Sequence, residues 1–115
     1  MSARRGEVWL VRLESVSQSV GHEQAGKRPA LVLSIDQVNA NGAELVTVLP
    51  ITSTPRPLPS RIEVRPPEGG LNNVSYIIGE QPRTISTQRL ERRLGMVSST
   101  TMSKAADIVR IVLGL

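Results

Sequence analysis

Residues 21–29 read Gly-His-Glu-Gln-Ala-Gly-Lys-Arg-Pro and bring a titratable ring, a carboxylate, an amide and two cations into one short stretch. Such a set suits a phosphate. The Arg28 guanidinium stays charged and its planar fork grips two oxygens at once, while Lys27 adds a second positive charge. His22, with an ordinary pKa of about 6.5, is suited to proton transfer, and Glu23 serves instead if a bound ligand strips it of water. Gln24 carries both a donor and an acceptor. Plainer readings stand beside these. A single histidine in a polar loop is more often a solvated surface residue, and Arg28, placed before a proline, could simply pair with Glu23 or Glu80.

These groups must be held by short strands. Apolar and β-branched runs at 6–13, 28–35, 44–51, 61–64, 75–78 and 94–97 predict six strands, separated by turn-forming residues. No helical crossovers lie between them, so the fold class is mainly β, a small antiparallel barrel. One helix closes it. After Ser98-Ser99-Thr100, apolar residues recur at Met102, Ala105, Ala106, Val109, Val112 and Leu113, the spacing of a single buried face. A short helical turn is weakly signalled at 86–90. Three connections stand out: a polar loop at 14–27, expected to be mobile; a proline-rich spacer at 54–60; and a turn cluster at 65–73 with Pro-Pro, Gly-Gly and Asn-Asn.

Composition narrows the function classes. The 115 residues are 39% hydrophobic, enough for one core, and a single domain over 1–115 is expected. There is no cysteine, which rules out disulfides and thiolate metal sites; with one histidine the chain offers little for a metal, and no cofactor is expected. No apolar run approaches the roughly 20 residues that span a bilayer, and no signal core follows the N-terminal arginines, so a cytoplasmic protein is expected. Net charge is +4, with arginine greatly outnumbering lysine. That bias points to nucleic acid or an acidic protein, although arginine-rich codon usage produces the same pattern. Trp9 and Tyr76 are the only aromatics, which leaves no broad stacking platform for single strands.

Four blocks now fall into order: Arg5-Gly6-Glu7-Val8-Trp9; Glu23-Gln24-Xaa-Gly26-Xaa-Arg28-Pro29; Pro50-Ile51-Thr52-Ser53; and Glu80-Gln81-Pro82-Arg83-Thr84-Ile85. Together they resemble the successive signatures of the MazF/PemK (Kid) toxins, over nearly the whole chain and including the terminal helix. The resemblance implies an SH3-like barrel of the MazF/Kid/CcdB type with a C-terminal helix, and a homodimer. It also implies cleavage of single-stranded messenger RNA at short sequences, and inhibition by an acidic, MazE-like antitoxin protein. It makes Arg28 and Thr52 the catalytic pair and assigns RNA contact to His22, Glu23 and Gln24. Lys27, Ser53, Gln81 and Arg83, from the same blocks, are expected to bind RNA or assist proton transfer. One departure is clear: relatives often carry an acidic residue just after the Arg-Thr-Ile block, where this chain has Ser86 and Thr87.

The chemistry can be argued from the residues as well. Metal-free RNA cleavage uses the 2′-hydroxyl as internal nucleophile, so the protein needs only to assist its deprotonation, stabilise the phosphoryl oxygens and protonate the departing 5′-oxygen. Arg28 suits the second task, and Thr52 can donate its hydroxyl to the same phosphate. The base stays open between His22 and Glu23. Thr52 alone would be an ordinary strand-end residue, Arg83 could equally be an interface ion-pair residue, and the run 89–93 reads as a solvated face. Two other functions remain: a gyrase-poisoning toxin resembling CcdB, and an RNA-binding barrel without chemistry. The first acts through a protein surface, often the terminal helix, whereas here residues 109–115 are apolar and look devoted to packing.

Overall fold

The computed structural model describes residues 2–13 and 26–115. In them lie strands β1 (Glu7–Arg12), β2 (Lys27–Val32), β3 (Leu45–Thr52), β4 (Arg61–Val64), β5 (Ser75–Ile78), β6 (Arg83–Ser86) and β7 (Leu90–Met96). Helix α1 (Asp36–Asn39) is a single turn, and α2 (Ser99–Leu113) follows β7. The sheet order is β4-β5-β3-β2-β1-β7, with β6 added along β3, and every pairing is antiparallel. The mainly β class with a C-terminal helix is as expected from the sequence.

Strands β1 to β3 are apolar almost without a break because both of their faces are covered. Val8, Leu31, Leu49 and Ile51 point into one core, which α2 closes with Ala105 and Val109 and to which Val64, Leu71 and Ile77 contribute. The alternate residues Trp9, Val11, Ala30, Val32, Val46 and Val48 point into a second core, closed by Ala3, Leu13 and Ile85. Two small cores on one sheet replace the single core that composition suggested. Burial of each aliphatic side chain contributes roughly 1.5–3 kcal/mol.

The structure departs from expectation in four elements, the first being the unexpected single turn α1. Strand β6 was missed because Arg83-Thr84-Ile85-Ser86 holds a single apolar side chain, Ile85. Strand β7 begins at Leu90 where a start at Leu94 was expected, so the 89–93 run, though largely exposed, is mostly strand. Its backbone pairs with β1 through two register shifts, which let an exposed, charged stretch stay in the sheet. Helix α2 starts as expected, with the Ser98 hydroxyl accepting from the Thr101 N–H, and ends at Gly114 in the left-handed region, φ 71°. Its buried residues are Thr101, Ala105 and Val109 only. Val112 is 45% exposed and Leu113 53%, with Ile111 and Leu115 more so, contrary to the expectation that this end is devoted to packing. The buried residues recur every fourth position, Thr101, Ala105 and Val109, and the next position in the series, Leu113, is exposed. The predicted turn at 86–90 is present as a single 3-10 turn at Thr87–Arg89, with the Gln88 N–H donating to Ser86 Oγ. Among the described residues, no helix is long and apolar enough to cross a membrane.

Glu7 fastens the start of β1. Its Oε1 accepts from the Arg4 N–H at 2.8 Å and from the Trp9 indole at 3.0 Å, and its Oε2 accepts from Arg93 Nε at 2.7 Å. Burial pushes the Glu7 carboxyl up, but the Trp9 indole, the Arg4 N–H and Arg93 together outweigh it and hold the group below the usual carboxylate range. A carboxyl with a depressed folded pKa contributes stability above its unfolded value of about 4.3, and that contribution is lost as pH falls through the lower folded value. Thermal melts followed by Trp9 emission should therefore fall steeply in acid, below pH ~4.5. Glu7→Gln should flatten that fall and cost about 1–3 kcal/mol at neutral pH.

Candidate active site

Pro29 and Pro50 carry no N–H, and the β2–β3 ladder stops at the pair Ala30 and Pro50. Continued two residues further, that register would set Arg28 opposite Thr52, but the pairing ends before it reaches them. There the strands part. On its other edge β3 pairs with β6 as far as Val48 and with β5 from Ile51. The parting opens a cleft of about 940 Å³, lined by the ends of β2 and β3, by residues 70–73 and by parts of β1, β5, β6 and β7.

Of the residues singled out from sequence, Lys27, Arg28, Thr52, Ser53, Gln81 and Arg83 all line this cleft. His22, Glu23 and Gln24 lie outside the described residues, as does most of the loop expected to be mobile. Arg28 is exposed and has no carboxylate partner among the described residues. The alternative pairing with Glu80 is not found. Glu80 Oε1 accepts from Ser60 Oγ at 2.7 Å and its Oε2 from Arg61 Nε at 3.0 Å. Burial raises the Glu80 carboxyl, yet Arg61 and Ser60 hold it below the usual range.

Thr52 Oγ1 accepts the Thr54 N–H at 3.1 Å. That bond fixes the side chain and leaves the hydroxyl hydrogen to donate into the cleft. Arg83 donates to the Leu13 carbonyl at 2.9 Å, which ties β6 to the end of β1; its other N–H groups make no hydrogen bond among the described residues. Lys27 Nζ stands 3.2 Å from Glu91 Oε1, while Arg12 stands 3.3 Å from Oε2 of the same carboxylate. Its charge is therefore partly neutralised, unlike that of Arg28. No Asp or Glu lines the cleft among the described residues.

Sequence reasoning missed Arg92, Asn72 and Asn73, which line the same cleft. Arg92 was read as part of a solvated face. A register shift between Leu90 and Arg92 turns Arg92 to the opposite face from Leu90, so the alternation along the sequence does not mark it as a cleft residue. The asparagines sat in a turn cluster. Their loop is seated by close backbone contact, since a Cβ on Gly70 (φ 70°) would stand 1.9 Å from the Leu94 carbonyl oxygen, and Gly95 answers with its own bare Cα against Gly69.

Gly70→Ala should force that loop off β7. Both the positive φ and the backbone overlap oppose a methyl group, so a stability loss of about 2 kcal/mol or more is expected, together with reduced activity at the displaced cleft wall. Denaturant melts of this variant against Gly42→Ala, where nothing stands within 4 Å of the new Cβ, measure the difference.

A sequence model described as PemK-like, MazF-like toxin of type II toxin–antitoxin system matches residues 4–113. Endoribonuclease MazF9 of Mycobacterium tuberculosis is 33% identical over 97% of this chain and 97% of its own length. Endoribonuclease EndoA of Bacillus subtilis is 32% identical over 100% of this chain and 97% of its own. Among solved structures, a mycobacterial endoribonuclease in complex with its cognate antitoxin superposes with a TM-score of 0.78 at 24% identity, over 99% of this chain and 97% of that one. The Mycobacterium tuberculosis toxin MazF-mt6 does so at 0.77 and 25%, over 95% and 97%. Family match, full-length relatives and fold agree, and the chain belongs to the PemK-like, MazF-like toxins of type II toxin–antitoxin systems.

Proposed function

We propose that this chain, an endoribonuclease toxin of that family, cuts single-stranded messenger RNA at short specific sequences without a metal ion, with Arg28 and Thr52 acting on one phosphate. The observation that carries the reading is that both residues line the cleft that begins where the β2–β3 ladder stops. The rest of the cleft supports it. Cations and neutral polar groups suit phosphoryl oxygens, and a lining without carboxylates, among the described residues, suits them better than it suits a divalent cation.

In this mechanism the 2′-hydroxyl attacks the adjacent phosphorus. Its proton leaves to a base, the P–O5′ bond breaks, and the 5′-oxygen takes up a proton. The products carry a 2′,3′-cyclic phosphate and a 5′-hydroxyl. Arg28 holds the two non-bridging oxygens as charge grows on them, and the Thr52 hydroxyl donates to one of them. Glu80 is a poor base because Ser60 and Arg61 already occupy its oxygens. That leaves the proton to His22 or Glu23.

The partners proposed are a second copy of the chain and an acidic antitoxin. The exposed apolar end of α2, with Ile111, Val112, Leu113 and Leu115, is a surface that a protein partner covers, and the cationic cleft accepts carboxylates as readily as phosphates. The mycobacterial neighbour was itself solved with its cognate antitoxin.

Cleavage of a long RNA in EDTA, with sequencing of the ends, tests the chemistry. Loss of cutting on chelation overturns it. Arg28→Ala should lose about 3 kcal/mol or more of transition-state stabilisation with a smaller loss of RNA affinity. Thr52→Ala should lose less, because a neutral hydroxyl donor is weaker than a charged one. If both hold one phosphate, the double variant should lose less than the sum of the two. Sedimentation at micromolar concentration should show a dimer, and a fully active monomer would refute that partner.

A further inference from the structure

We propose that Asn72 and Asn73 read the hydrogen-bonding edge of one unpaired RNA base next to the phosphate held by Arg28 and Thr52. The inference deepens the nuclease reading and rests on it. Single-strand recognition usually draws on aromatic stacking, and this chain has almost none to offer. Trp9 is only 5% exposed, in the second core, there is no phenylalanine, and Tyr76 does not line the cleft. Selectivity must then come from polar side chains that match base edges. The cations of the cleft are suited to phosphate, which every nucleotide carries, and so they position without discriminating. The two asparagines are neutral, and each amide sets a donor beside an acceptor, the pattern needed to match a base edge.

Their loop is built to hold such groups still. Leu71, just before them, is buried in the core shared with α2. Gly70 lies flat against the Leu94 carbonyl. The Ser75 hydroxyl donates to the Asn73 carbonyl at 2.9 Å. Two residues before Gly70, Glu68 accepts the Ser98 N–H at 2.9 Å and so fastens the loop to the start of α2. None of these contacts uses an asparagine side chain. Both amides are exposed, with no side-chain hydrogen bond among the described residues, and they stand on the same cleft as Thr52 and Ser53. A rigid backbone with unengaged amides is the arrangement expected of preorganised recognition.

The test uses the full chain and a randomised RNA pool, with sequencing of cut sites and kcat/KM on the preferred word and its single-base variants. Asn72→Ala and Asn73→Ala should keep the wild-type melting temperature and Trp9 emission. At one position beside the cut, discrimination should relax by about tenfold to a hundredfold, while the other positions stay as selective as before. Asn73→Asp keeps the shape but replaces a donor with an acceptor, and should change the preferred base there rather than only flatten the preference. Unchanged words in all three variants, or an equal loss on every sequence, overturn the inference while leaving the nuclease reading intact. A wild-type chain that leaves the pool uncut overturns both.

Discussion

Pro50 sits inside β3 with no N–H to give, and the strand changes neighbours around it: β6 as far as Val48, β5 from Ile51, and β2 only up to Pro50 itself. The rest of the site depends on this change of partners. It lets a strand buried on both faces emerge from between two cores and end at Thr52 in a polar cleft. It also keeps β2 from closing over that cleft, because Pro29 withholds a second donor on the facing strand. Arg28 and Thr52 thus both reach the cleft from the ends of strands whose other residues are buried in the two cores, rather than from a loop.

The electrostatics follow the same division. The acids of the described residues are largely engaged away from the cleft. Glu7 is held by Trp9 and Arg93, Glu80 by Arg61 and Ser60, Glu68 by the start of α2, and Glu91 by Lys27 and Arg12. The carboxyls of Glu7, Glu68 and Glu80 are all held below their usual range. The cleft therefore carries the cations Arg28, Arg83 and Arg92 with no acid in its described lining, while several acids elsewhere serve as structural acceptors. Glu91 is the exception at the rim, tempering Lys27.

Much of this was legible in the amino-acid order, and the reasons differ by element. Strands β1 to β3 were readable because burial on both faces writes a continuous apolar run, and α2 because its cap and spacing are local. Strands β6 and β7 were hidden because they earn their place through backbone pairing with β3 and β1, which leaves little mark on side-chain polarity. The lining of the cleft was readable where an ordered motif carried it, as at Arg28, Thr52 and Gln81. Arg92, Asn72 and Asn73 come to the cleft only by tertiary packing, the loop seated on β7, and no local pattern announces a contact between residue 70 and residue 94. The division into two cores was equally invisible, since composition counts apolar side chains but not the face each one takes.

The exposed end of α2 has a consequence for the lifetime of the chain. Ile111, Val112, Leu113 and Leu115 keep 45–81% of their surface exposed in the isolated fold, so a partner that covers them stabilises the folded form by mass action, in proportion to the logarithm of its concentration. With such a partner in excess the folded form would be favoured; with the tip bare, the fold stands on its two cores alone and presents an apolar surface, the condition under which proteases and aggregation remove proteins most readily. The same helix end thus links how long the chain stays folded to whether anything covers it.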